Sequence, residues 1–265
     1  KYGSESAKQF YEMCVIEPRF AKAHREGDIH IHDMDFYTLT TTCCQIELRK
    51  LFKGGFSTGH GVLREPNDIS SYAALACIAI QSNQNDQHGG QSVCDFDYGL
   101  AVGVRKTFRR LFKKHIAEGI DLLTDIADDR DFAEKTLARI EEETGTIASL
   151  EMDADFRAAV VAALVEAGAD EATADRIVAY AEKNASRDTD RQTFQAMEAL
   201  VHNLNTMHSR AGAQTPFSSV NYGMDTSPEG RMVIKNMLLA TEEGLGSGET
   251  PIFPVQIFRV KEGVN

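Results

Sequence analysis

Gly27-Asp-Ile-His-Ile-His-Asp-Met-Asp-Phe-Tyr37, running on into Thr38-Leu-Thr-Thr-Thr-Cys-Cys-Gln45, is the stretch from which the rest of the chain can be read. Two histidines and three carboxylates fall within residues 28–35, and an adjacent pair, Cys43 and Cys44, follows. Asp28, His30 and His32 alternate with Ile29 and Ile31, which is the period of an extended strand. The β-branched Thr40, Thr41, Thr42 and Ile46 around the cysteines favour a strand as well. The expectation is that one short β region carries imidazoles, carboxylates and thiols to a common space. In a regular strand Cys43 and Cys44 cannot both enter it, so one faces the site and the other packs in the core.

Composition bounds what such a site can serve. The chain has 265 residues, enough for a sizeable core, and it opens on Lys1 rather than Met, so it reads as a segment of something longer. No apolar run reaches the roughly 20 residues of a membrane span. Five cysteines, two of them adjacent, make no disulfide framework and point to reduced thiols in a cytoplasmic setting. The net charge of −12 is unevenly spread: residues 118–190 carry 20 acidic and 7 basic side chains, and the remainder 20 and 21. Neither part offers the basic surface of a nucleic-acid-binding protein.

Outward from the opening stretch, residues 4–24 have apolar positions at helical spacing, broken by Pro18. Leu48 to Phe52 forms a helical turn. Gly54-Gly-Phe-Ser-Thr-Gly-His-Gly61 lacks a phosphate-binding fingerprint and reads as a connecting loop. Pro66 to Ser71 supplies helix caps for an all-round apolar helix from Tyr72 to about Ser82. The amide-rich run Gln81 to Ser92 then reads as a polar loop, structural or functional.

Val93 to Ile116 reads as a helix with Arg105, Lys106, Arg109, Arg110, Lys113 and Lys114 on two adjacent stripes. It is either a solvated face or a grip on polyphosphate, since no carboxylate lies between Arg105 and Lys114. Residues 118–190 form an acidic helical insertion with breaks at Gly145 and Gly168. From Arg191 a helix leads to a strand at Phe217–Tyr222, a helix capped by Ser227 and ended by Gly244, and a buried closing strand within Thr250–Val260. Strands alternating with long helices give an α/β architecture with a mainly parallel sheet. The chain divides into 1–117, the insertion 118–190, and 191–265.

Several chemistries fit the opening stretch. His30 and His32 invite a metal-dependent barrel hydrolase, although no later ligand pattern completes the site. Hydrogen-bonded histidines beside Asp33 and Asp35 are the plainer alternative. A nucleophilic cysteine paired with His30 or His32, and a redox or radical thiol, are both compatible with the residues. A non-catalytic nucleotide-binding module is a further alternative.

The blocks His30-Ile-His-Asp-Met-Asp-Phe-Tyr, Thr41-Thr-Cys-Cys, Gly55-Phe, Glu65-Pro, Gln84-Asn-Asp-Gln-His-Gly-Gly-Gln, Asn203-Leu-Asn-Thr, Gly212-Ala-Gln-Thr-Pro-Phe and Thr250-Pro-Ile-Phe-Pro together resemble the anaerobic (class III) ribonucleoside-triphosphate reductases. The resemblance implies the first part of a ten-stranded α/β barrel built from two half-barrels. It implies replacement of the ribose 2′-hydroxyl of a ribonucleoside triphosphate by hydrogen, through a glycyl radical installed by a radical-SAM activating enzyme and a thiyl radical on a loop cysteine. Formate is the electron donor in many members. Cys43 matches the second catalytic cysteine, with His30, His32, Asp33 and Cys44 near the substrate. Deoxynucleotide or ATP effectors bind at a homodimer interface, to which Glu65, Asn67, Lys106, Arg109 and Arg110 are the candidate contributors. The radical-loop cysteine, the glycyl radical and a structural zinc site would lie beyond Asn265, so the chain alone is expected to be inactive. No metal site is expected within it.

Overall fold

The computed structural model describes residues 2–37, 41–124, 126, 129–208 and 214–265. Thr40 and the start of the Gly212–Phe217 block lie outside the described residues.

Two short helices open the chain, α1 (Tyr2–Cys14) and α2 (Pro18–Glu26), the second with Pro18 in its first turn. The strand expected over Asp28–His32 does not form. Gly27 ends α2 in the left-handed conformation (φ 85°), and the N–H groups of Asp28 and Ile29 turn back to bond Ala23 O. A single 3₁₀ turn, Met34–Phe36, follows. The helix cap is a local arrangement and competes successfully with alternation that, among the described residues, pairs with no strand.

Strand β1 (Thr41–Ile46) forms where the β-branched run and the cysteines stand, and α3 (Leu48–Phe52) follows. The glycine-rich loop is a small antiparallel hairpin, β2 (Phe56–Ser57) with β3 (Val62–Leu63). Asp68 caps α4 (Ile69–Asp86) by accepting from Ser71 N at 2.8 Å. The amide run is not a loop. Its first half completes α4, and its second half is β4 (Gln87–Val93). The long α5 (Phe96–Leu123) carries the cationic stripes.

Helices α6 (Asp129–Thr144) and α7 (Ala154–Glu166) end near Gly145 and Gly168, both at positive φ. Then α8 (Glu171–Thr206) leads to β5 (Ser218–Tyr222), α9 (Pro228–Glu243) and β6 (Val255–Phe258). Ser227 caps α9, and Gly244 ends it.

The strands lie in the order β1-β4-β5-β6, every pair parallel, as the strand–helix alternation predicts. One core (Phe96, Leu100, Met197, Val201, Val220, Val233) fills the space between this sheet and α4, α5, α8 and α9. A second core (Phe112, Ile120, Leu137, Phe156, Ile177) holds the acidic segment together. The boundaries at 117/118 and 190/191 fall inside α5 and α8, so the segment is carried on helices it shares with the sheet. β6 is an edge strand with Val255 and Ile257 each 43% exposed, not the buried strand its apolar sequence predicts. Among the described residues no helix is long and apolar enough to cross a membrane.

Candidate functional site

The register between β1 and β4 slips at one point. Thr42 pairs with His88 and Cys44 with Gln91, so two residues, Gly89 and Gly90, stand opposite the single Cys43. Gly89 takes φ +100° and Cys43 φ +53°, and a Cβ at position 89 would come within 2.8 Å of the Cys43 sulfur. The glycine pair thus makes room for the thiol, which is exposed rather than packed in the core. Asp33 (φ 49°) and Cys43 are the non-glycine residues at positive φ among those described, and both belong to the site the sequence singles out.

Cys44 points the other way, towards the helix layer, where Asn83 Nδ2 approaches its sulfur at 2.8 Å. Burial pushes its thiol upward, a shift the Asn83 contact partly offsets. The same amide group donates to Gln91 Oε1 at 2.7 Å, while Gln91 Nε2 donates to Ile80 O and Gln84 Oε1. Asn83, Gln84 and Gln91 are therefore internal ties that pin β4 to α4.

The imidazoles are placed by the turns after α2. His30 lies against His24 and His32, with ring centroids 5.4 and 6.0 Å apart, and both His30 and His32 are exposed. Asp33 reaches His32 Nε2 at 3.4 Å and His88 Nε2 at 3.7 Å. Phe36 stacks on the His88 ring at 4.0 Å, and His88 Nδ1 is buried without a hydrogen-bond partner among the described residues. His88 is thus a site residue that the sequence reading missed. It directly precedes the Gly89–Gly90 pair, which a strand interior otherwise avoids. Ser219 and Asn221 are the half-buried positions of β5, where burial alternates, and Asn221 Oδ1 accepts from Ser92 Oγ at 3.5 Å.

No group of three or more His, Cys, Asp or Glu residues stands where a metal ion could be held among the described residues. The cysteines do not fit a four-thiolate zinc site either. Cys77 is buried on α4 with its thiol pushed up to about 12, Cys14 ends α1, Cys43 lies on β1, and Cys94 lies in the turn between β4 and α5.

The cationic helix α5 forms one wall of a cleft of about 760 Å³, whose lining includes Asn67, Lys106, Arg109 and Arg110 together with Lys113, Lys114 and Arg130. The premise that these cations lack acidic partners is corrected by the fold. Carboxylates arrive from distant elements, with Glu65 2.6 Å from Lys106, Glu141 gripping Arg109, and Glu134 2.9 Å from Lys113. Glu65 is accordingly held below the usual carboxylate range, first by the hydrogen bond from Lys106. Arg110 donates instead to the neutral Gln192 Oε1 at 3.0 Å.

The family model for anaerobic ribonucleoside-triphosphate reductase matches residues 1–265. The anaerobic ribonucleoside-triphosphate reductase of Enterobacteria phage T4 is 27% identical over 247 residues, covering 92% of this chain and 31% of the relative. That of Escherichia coli K12 is 24% identical over 262 residues, covering 98% and 28%. Among solved structures, the Thermotoga maritima anaerobic ribonucleotide reductase with citrate in its active site matches with a TM-score of 0.46 at 13% identity, over 97% of this chain and 38% of that one. The chain spans about 30% of the length of these two curated relatives. With the family model matching it from end to end, the chain belongs to the anaerobic ribonucleoside-triphosphate reductase family.

Proposed function

We propose that this chain is the substrate-side portion of a catalytic subunit that reduces ribonucleoside triphosphates to 2′-deoxyribonucleoside triphosphates, and that its sheet is the opening arc of a ten-stranded barrel. The observation that carries this reading is Cys43, exposed opposite the Gly89–Gly90 bulge, on a strand whose preceding residue Thr42 pairs with His88, the imidazole that Asp33 approaches at 3.7 Å. In this reading the ribose lies over Cys43, whose thiol serves the reductive half of the reaction. His30, His32, Asp33 and His88 lie around the sugar, and Cys44 supports the strand from behind. A glycyl radical would supply the hydrogen-atom abstraction that generates the thiyl radical. The radical, the radical-loop cysteine and the zinc site belong to polypeptide other than these 265 residues, as does the radical-SAM activating enzyme. Formate is the proposed reductant, the cytoplasm the proposed compartment, and a homodimer the proposed assembly. Deoxynucleotide or ATP effectors would take the cationic cleft through Asn67 and Arg110, with Glu65, Lys106 and Arg109 framing it.

The test is Cys43→Ala in the intact enzyme. Deoxynucleotide formation should be lost while ribonucleoside triphosphate binding stays within about twofold of the unaltered protein. Normal turnover by the variant overturns the assignment. For the cleft, Arg110→Ala should weaken effector binding more than substrate binding in equilibrium dialysis, and unchanged effector affinity counts against it.

A further inference from the structure

The carboxylates around the cationic cleft are not equivalent: Glu118, Asp121 and Glu134 line it, while Glu141, outside the lining, holds Arg109. Glu141 grips Arg109 through two oxygens, with Arg109 Nε donating at 2.6 Å, and its side chain is only 7% exposed. Separating that pair would strand a buried carboxylate, so Arg109 is committed to the fold and is not free for a ligand. Glu134 differs. It sits on the same helix α6, makes one contact with Lys113 Nζ at 2.9 Å, and is 69% exposed, whereas Lys113 is only 14% exposed. Such a contact is worth little and is easily exchanged from the carboxylate's side. The anion it would yield to has cations on both walls, Arg110 and Lys114 on α5 and Arg130 on α6, with Lys114 itself 3.4 Å from the Glu118 carboxylate.

We infer that the cleft between α5 and α6 is an anion-exchange site in which Glu134 is a built-in competitor, displaced from Lys113 when a polyphosphate chain enters and is held by Arg110, Lys113, Lys114 and Arg130. The inference rests on the effector reading above and extends it. The acidic segment then sets the affinity of the cleft: α6 supplies one cation to the ligand and one carboxylate against it. Charge selects the class of ligand, the triphosphate tail of a nucleotide or free tripolyphosphate, over a monoanion.

The experiment is calorimetric titration of the intact protein with tripolyphosphate and with dATP, at low and at raised salt. Glu134→Gln should tighten both about two- to fivefold, the reach of one exposed ion pair, and the gain should shrink with salt. Arg130→Ala should weaken both. Glu141→Gln should give no tightening and should lower the melting temperature instead. Unchanged or weaker binding by Glu134→Gln, while Arg110→Ala still weakens binding, overturns the exchange and leaves the effector site standing. Unchanged binding by Arg110→Ala and Arg130→Ala together overturns both. Tightening for dATP alone assigns the effect to the nucleoside and also overturns the exchange.

Discussion

The sulfur of Cys43 lies over the backbone of Gly89, so close that a methyl group on the glycine would come within 2.8 Å of it. The position of the thiol is therefore decided as much by a residue on the neighbouring strand as by its own. Gly89→Ala should cost about 1–2 kcal/mol for the positive φ alone and push the thiol aside. A drop in Tm of a few degrees, with at least about a tenfold loss of turnover in the intact enzyme, is the expected result. Calorimetry and product assay on the same preparation check it.

Gln91 is buried and satisfies three partners, Asn83, Gln84 and Ile80 O. Gln91→Leu has a similar shape but strands polar groups in a low-dielectric interior. The expected cost is about 2–4 kcal/mol, measured by urea denaturation. Because Asn83 also contacts Cys44, the Cys44 thiol should react faster with a small alkylating reagent in this variant.

Asp97 performs a comparable service at the end of β5. One of its oxygens accepts from the N–H groups of Gly223, Met224 and Asp225, at 2.8, 3.0 and 2.9 Å. Asp97→Ala leaves all three donors without that acceptor, at about 3 kcal/mol or more, while Asp97→Asn keeps an acceptor and should cost less. The order of the two variants in a denaturation series is the check.

His115 is buried between two carboxylates, with Nδ1 2.7 Å from Glu118 Oε2 and Nε2 3.1 Å from Asp188 Oδ2. Burial pushes both carboxyls upward, but the hydrogen bonds from His115, joined by Lys114 at Glu118 and by Arg187 and Arg191 at Asp188, leave each below its usual value. A lowered folded value means stability present above the ordinary 4.5 and 3.8 and lost as pH falls through the lowered ones. His115→Ala should cost about 2–3 kcal/mol near neutrality, with the Glu118 side discounted for its partial exposure. It should also flatten the acid limb of a urea-midpoint series taken from about pH 6 to pH 3.

The parallel sheet, the capped helices and the strand bearing Cys43 could be read from the sequence because each rests on local signals: β-branched residues, Asp68 and Ser227 as caps, Gly145 and Gly168 as breaks. What could not be read depends on partners far away in the chain. Ile29 and Ile31 alternate as in a strand, yet the chain around them turns because Gly27 caps α2 in the left-handed conformation. The amides of Gln84 and Gln91 look like a loop until the helix and strand they join are known. The cations of α5 look unpaired because Glu65, Glu134, Glu141 and Glu229 are 21 to 124 residues distant in sequence. His88 was overlooked because its partners Asp33 and Phe36 reach it only through the fold.

Two helices, α5 and α8, run from one core to the other, and α8 is the longer. α8 runs 36 residues, a length of about 54 Å, and contains neither glycine nor proline. Near its end Asn205 clamps the backbone of Ile252 and Phe253 just before β6, while Gln192, further back, holds Arg110 at the cationic cleft. A helix of this kind has no glycine or proline at which to kink. A tilt imposed beside the cleft would be handed on as a shift of the sheet's outer strand, with the helix acting as a lever between them.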